Sequence, residues 1–302
     1  MGVATTIDNR RRAAPVSRAT RRSPLLGADR KWALAFVTPY VAVFFAFVLY
    51  PVCYGLWIGS NPASYQQLFA DPVFPSAVVN TLIYLLIAVN LKLILALFLS
   101  GFFMRKGWWI KTLLLIFILP WAVPGIPSFI SIHWMLNSQW GLVNNAIWAL
   151  FQIDGPPWLD NSSLALGSVI YAHIWKWLPF WTIIFLAGRM AIPRELYEAA
   201  EVDGAGSVGR FVHITFPLLA SLYLVCTLLS TIWALGDFNS VRFISGGGPA
   251  LSTHVLATLG IRNAFELGNP ALGMATVLSA LPLLIPLVLL LMRQLKKGEV
   301  HL

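Results

Sequence analysis

Six stretches of this chain run twenty or more residues with almost no charge: 32–59, 76–104, 112–135, 164–188, 217–236 and 271–292. Four of them hold no Asp, Glu, Lys or Arg at all; the other two hold one lysine each, Lys92 and Lys176. Crossing about 30 Å of hydrocarbon takes about 20 apolar residues in a helix. Only a helix satisfies its own backbone there, so the pattern predicts an all-α polytopic membrane protein with six transmembrane helices. The connections are short. SYQQLFADP, within 60–75, fits one interfacial helical turn. In 137–162, Trp140, Ile147, Trp148, Leu150 and Phe151 predict an amphipathic interfacial helix, stopped by Gly155-Pro156-Pro157. SGGGPALST, 245–253, reads as a glycine-proline turn between two short segments. Pro120, Pro124 and Pro127 in the third span, and Pro282 and Pro286 in the sixth, predict kinks.

Composition changes the picture in one respect. By length, 302 residues fit one or two soluble domains, but 58% hydrophobic residues, 11% charged residues and a mean hydropathy of +0.74 override that. The basic residues are unevenly placed. Seventeen lie in the tail 1–31, after the second span, after the fourth and at the C-terminus, against Arg242 and Arg262 in the alternate connections. The excess of Lys and Arg marks the cytoplasmic side, so both termini and the 191–217 loop are expected there. A net charge of +9 then reflects topology and implies no nucleic acid. The expected organisation is a disordered basic tail (1–31), a six-helix transmembrane body (32–295) with its loop at 191–217, and a short C-terminus (296–302). The first apolar stretch is too long for a cleaved leader. Cys53 and Cys226 lie singly within spans, without disulfide or metal spacing.

Enzyme chemistry leaves no signature. HExxH, GxSxG, Cys/His clusters and the phosphate-cradling GxxxxGK[ST] are all absent, and five histidines are scattered over different segments. The expectation is no catalytic residue, no metal and no nucleotide held by this chain.

Four of the twelve carboxylates crowd into Glu195–Asp203, in AIPRELYEAAEVDGAG. Pro193 suits a first turn, and Glu195 and Glu198 favour the positive end of a helix dipole. Leu196, Ala199 and Ala200 make a compact apolar strip, and Gly204 is a left-handed stop. A second short helix is expected at 207–214, with Pro217 opening the fifth span. Two readings fit: a solvated connector, or a small knob for a partner's cleft whose carboxylate accepts bonds from partner arginines.

Glu198-Ala199-Ala200, Asp203-Gly204-Ala205, Phe211, Ile214 and Pro217 together resemble the EAA motif of binding-protein-dependent ABC importer permeases. The chain is most similar to their carbohydrate branch, the maltose-type permeases. Leu49-Tyr50-Pro51, Asn80-Thr81, Gly246-Gly247-Gly248-Pro249 and Thr253 extend the resemblance over about 32–295. Phe216 departs from the usual leucine but keeps an apolar contact.

The resemblance implies a type I ABC importer permease fold in the bacterial cytoplasmic (inner) membrane. It implies a second homologous permease, two cytoplasmic ATPase subunits that bind ATP and Mg, an external solute-binding protein and a sugar solute. Glu198, Ala199, Ala200, Asp203 and Gly204 would then couple to an ATPase subunit. It also carries a substrate pathway onto His173, Lys176, Trp177 and Phe180 of the fourth span and Ser230, Trp233, Ala234 and Asp237 of the fifth. The latter four share one helix face by spacing. Aromatic faces with a few polar groups suit a sugar; the charged Lys176 and Asp237 leave the exact substrate open, His173 and Lys176 equally suit an anionic glycoside bearing phosphate or sulfonate, and a polyol is a further alternative. Lys176 in a span needs a cavity, a partner or a path to the interface. A self-contained secondary carrier would need an intramembrane acid relay, for which Asp237 is the sole candidate.

Overall fold

A computed structural model describes residues 25–299; most of the basic tail and residues 300–302 lie outside the described residues. Among the described residues every regular element is helical. The chain divides after Tyr54 into two units. The first is formed by the start of α1 (Lys31–Gly59), an apolar helix that carries a π turn at Phe45–Leu49. The wide turn precedes Pro51, a residue with no N–H for the ladder, and the Tyr50 N–H reaches back to Phe45 O.

The second unit holds α2 (Pro62–Ala70), α3 (Val73–Phe103), α4 (Trp108–Ala122), α5 (Gly125–Met135), α6 (Leu142–Phe151) and α7 (Ser162–Met190). It continues with α8 (Arg194–Val202), α9 (Ser207–Leu235), α10 (Asn239–Ile244), α11 (Leu256–Ile261) and α12 (Pro270–Leu295). Helices α1, α3, α7, α9 and α12 are each long and apolar enough to span a membrane. The most extensive packing joins α3 to α7. Ala88, Ala96 and Ser100 on α3 and Ala165 and Ala172 on α7 are fully buried. Small side chains let two helix backbones approach closely where lipid supplies no hydrophobic drive. The main core gathers Tyr84, Val89, Leu93, Val169, Trp181, Phe185, Cys226 and Ile244, from α3, α7, α9 and α10.

Two expectations need correction. The third span was expected as one kinked helix over 112–135, but α4 and α5 are separate helices bent by 94°. Val123, placed before Pro124, is driven to extended backbone with ψ 144°, and Pro124 follows at ψ 139°. The ladder stops there instead of bending. Nor is there a separate short helix at 207–214. Helix α9 runs unbroken from Ser207 through a π turn at Phe211–Thr215, where the Phe216 N–H reaches Phe211 O just ahead of Pro217. The extra residue per turn accommodates the proline that was expected to start a new element.

The segment between α10 and α11 is held by α3. Asn80 donates from its amide to Ser252 O at 2.6 Å and His254 O at 3.0 Å, and Thr81 Oγ1 accepts from the Leu256 N–H at 2.9 Å. Thr253 Oγ1 donates across the turn to Gly248 O at 2.6 Å. Gly247 has φ +85°, and a Cβ there would fall 2.3 Å from His254 Nε2. Only glycine fits. The Asn80-Thr81 and Gly-Gly-Gly-Pro matches, far apart in sequence, thus form one structural joint.

Candidate functional site: an exposed helix and a buried polar chain

Helix α8 has no buried residue. Glu198 and Ala199 are exposed, Ala200 is half-buried, and Leu196 and Val202 offer apolar surface to solvent, Val202 at 89% exposure. Gly204 ends the element at φ +78° with nothing within 4 Å of a would-be Cβ. The left-handed stop read from sequence is present. Asp203 occupies the C-cap position and is exposed.

The helix nevertheless has ties to the bundle. Tyr197 Oη lies 2.9 Å from Thr215 Oγ1, and Arg210 pairs with Glu201 at 3.0 Å. At the end of α7, Arg189 donates from Nε to Ser100 Oγ at 2.7 Å and from its guanidinium to Leu97 O at 3.0 Å. The same guanidinium stands 5.6 Å from the Phe211 ring, which stacks on Phe98 at 5.5 Å. The direct bonds of α8 thus run to the start of α9, where Phe211 in turn meets Arg189 of α7 and Phe98 of α3.

The second assembly is a chain of buried polar groups. Lys92 on α3, 2% exposed, lies with Nζ 2.8 Å from His173 Nε2 on α7. His173 Nδ1 lies 2.7 Å from Asp237 Oδ2. The partners fix the tautomer: lysine only donates and the carboxylate only accepts, so His173 is neutral, accepting at Nε2 and donating from Nδ1. Asp237 also accepts from Tyr84 Oη at 2.7 Å, the Ser240 hydroxyl and the Ser240 N–H at 3.1 Å. Burial alone pushes the Asp237 carboxyl up, but the bonds from His173, Ser240 and Tyr84 outweigh it and hold its pKa at about 2.

A cavity of about 210 Å³ opens beside this chain, lined by Lys92, His173 and Asp237 with Trp177, Trp181 and Trp233. The Trp233 ring sits 5.9 Å from Trp177, 5.5 Å from Phe180 and 5.6 Å from Trp181. Of the expected pathway residues, His173, Trp177, Trp233 and Asp237 come together on this cavity. Phe180 packs behind them against Trp121 and Trp233. Ser230 and Ala234 are buried in the interior, Ser230 Oγ without a hydrogen-bond partner.

Lys176 is occupied elsewhere. Its Nζ donates to Pro120 O at 2.7 Å and to Val123 O, two carbonyls left open where α4 stops. It caps the break in the third span. Lys176→Met is expected to lower stability by about 1.5–3 kcal/mol, the range for hydrogen bonds to a charged group. Thermal unfolding in detergent reads that loss, and an unchanged midpoint would reject the capping role.

Sequence reasoning missed Tyr84, Lys92 and Trp181 as site residues. A signal existed for the first two: Lys92 is the sole charge in its span, and Tyr84 lies eight residues earlier on the same helix face.

The model of the binding-protein-dependent transport system inner membrane component family matches residues 92–297, more than half of the chain. The chain belongs to this family. As a permease it is a transport subunit, not an enzyme, and a multi-pass protein of the inner membrane. It is 33% identical over 246 residues to the sulfoquinovosyl glycerol transport system permease of Agrobacterium fabrum, covering 76% of this chain and 79% of that one. It is 32% identical over 272 residues to the trehalose/maltose transport system permease of Thermococcus litoralis, covering 84% and 90%. A bacterial ABC transporter involved in import of the acidic polysaccharide alginate shares its fold, with TM-score 0.77 at 21% identity, over 89% of the permease and 96% of that chain.

Proposed function

We propose that this permease forms the pathway of an ATP-driven sugar importer and that α8 is its docking element for a cytoplasmic ATPase subunit. The observation that carries the proposal is α8 itself: an amphipathic helix with Glu198, Ala199 and Leu196 exposed, bonded through Tyr197 and Glu201 to the start of α9. An isolated solvated connector has no need of those ties. Ala199 and Ala200 form the knob, Glu198 accepts charge-assisted bonds from the partner, and Asp203 with Gly204 sets the turn. The uneven basic residues support a cytoplasmic location for this loop and both termini.

On this reading two permeases and two ATPase subunits assemble, the ATPases bind ATP and Mg, and an external binding protein delivers the solute. Closure of the ATPase pair drags α8, and the bundle exchanges inward for outward access. The named relatives carry sugar compounds, and a cavity walled by Trp177, Trp181 and Trp233 with polar Lys92 and His173 suits a sugar ring.

Reconstitution in proteoliposomes tests this. The assembled complex should take up sugar only with ATP and loaded binding protein. Uptake by this chain alone, without ATP, would overturn the reading.

A further inference from the structure

On the reading of this chain as a sugar permease, we infer that Lys92 is a solute-binding residue and that the solute carries an anionic group. The hydrogen-bonding groups left available in the cavity carry this assignment. At one end of the buried chain, Asp237 is saturated: Tyr84, His173, the Ser240 hydroxyl and the Ser240 N–H all donate to it. A carboxylate has about four acceptor sites, so no acceptor capacity is left for a sugar hydroxyl. At the other end, the Lys92 ammonium has three N–H donors and gives one to His173 Nε2. Its two remaining donors have no hydrogen-bond partner among the described residues, although the side chain is 2% exposed, lines the cavity and stands 5.9 Å from the centre of the Trp181 ring.

A second donor points the same way. Trp181, 1% exposed and also lining the cavity, has an indole N–H with no hydrogen-bond partner. Indole N–H can only donate. Trp177 and Trp233 on the lining add donor-only indole N–H groups, and the Asn239 amide balances two donors with an oxygen of two acceptor sites.

The cavity is thus rich in donors and poor in acceptors. A hydroxyl is a poor match, because each one brings a proton that needs an acceptor of its own. A carboxylate, sulfonate or phosphate brings acceptor oxygens and a charge opposite to that of the ammonium. The tryptophan walls then hold the sugar ring while Lys92 binds its acidic substituent. The Lys92–His173–Asp237 order fixes the polarity: the acid anchors the histidine, the histidine orients the lysine, and the lysine faces the solute.

Uptake into proteoliposomes by the complete importer tests this, with its cognate binding protein and ATP. The panel is methyl glucoside, methyl glucuronide, methyl sulfoquinovoside and glucose 6-phosphate, so that neutral, carboxylate, sulfonate and phosphate groups are compared on one ring. At least one anionic sugar is expected to be carried about 10-fold or more better than the neutral one. Lys92→Met should lower that uptake by about 10-fold or more, and Lys92→Arg should retain most of it. Co-purification of Lys92→Met with the ATPase subunits separates lost recognition from failed assembly. If that variant does not assemble, the wild-type panel and Lys92→Arg decide. Neutral sugar carried as well as every anionic one, or undiminished anionic uptake by an assembled Lys92→Met complex, overturns the assignment and leaves the importer reading intact. Uptake of no sugar at all, while the binding protein still stimulates ATP hydrolysis, overturns the sugar reading itself.

Discussion

Glu198→Lys should abolish solute-stimulated ATP hydrolysis and uptake in the assembled importer. Glu198 is exposed on a helix without a buried residue and has no hydrogen bond or ion pair within the described chain. Its carboxylate is free to meet another subunit. Reversing the charge removes the acceptor and sets an ammonium against the partner's cations. Each charge-assisted bond lost is worth about 1.5–3 kcal/mol, so two of them weaken docking by about 100-fold or more. The permease should unfold at an unchanged temperature, because no internal contact is broken. Normal stimulation of ATP hydrolysis in the variant would reject docking through Glu198.

The second large effect is expected at Asp237. Asp237→Ala removes the acceptor shared by Tyr84, His173 and Ser240 and leaves Lys92 without its counter-charge. Removing one member of a buried charge pair costs about 3–5 kcal/mol, because the charge left behind is uncompensated. Thermal unfolding in detergent should drop accordingly, with a smaller loss for Asp237→Asn, which keeps one acceptor oxygen. An Asp237→Ala variant as stable as wild type would remove Asp237 from its anchoring role. The sign with pH follows from the lowered pKa. The contribution of the carboxylate is full above its unfolded value of 3.8 and is lost only as pH falls through about 2. Mild acid should therefore leave this anchor in place.

The spans were legible in the sequence because burial in lipid demands a long uninterrupted apolar run, a property local to each segment. The α8 signals were legible for the same reason: Pro193 before its start and Gly204 after its end act within a few residues. The break at Val123-Pro124 was only half legible. Three prolines announced a disturbed helix, but whether a span kinks or splits depends on what satisfies the freed carbonyls. That was Lys176, more than fifty positions away. The polar chain was hidden by the same distance. Lys92 and His173 are 81 residues apart, and Tyr84 and Asp237 are 153 apart. Helical spacing put Ser230, Trp233, Ala234 and Asp237 on one face. That face is wide enough to turn Ser230 and Ala234 into the interior while Trp233 and Asp237 reach the cavity.

The contact between α11 and α12 limits how such a bundle can move. A Cβ on Gly273 would lie 2.6 Å from Gly260 O, and one on Gly260 would lie 2.5 Å from Val277. The two backbones stand close together there, with only small groups, a Val277 methyl and the Ala264 Cβ, at the seam. Sliding one past the other would press the Gly260 carbonyl towards the Gly273 backbone, so shear at this seam is restricted. Rearrangement of the second unit is then expected to fall on its other seams, with α11 and α12 moving together.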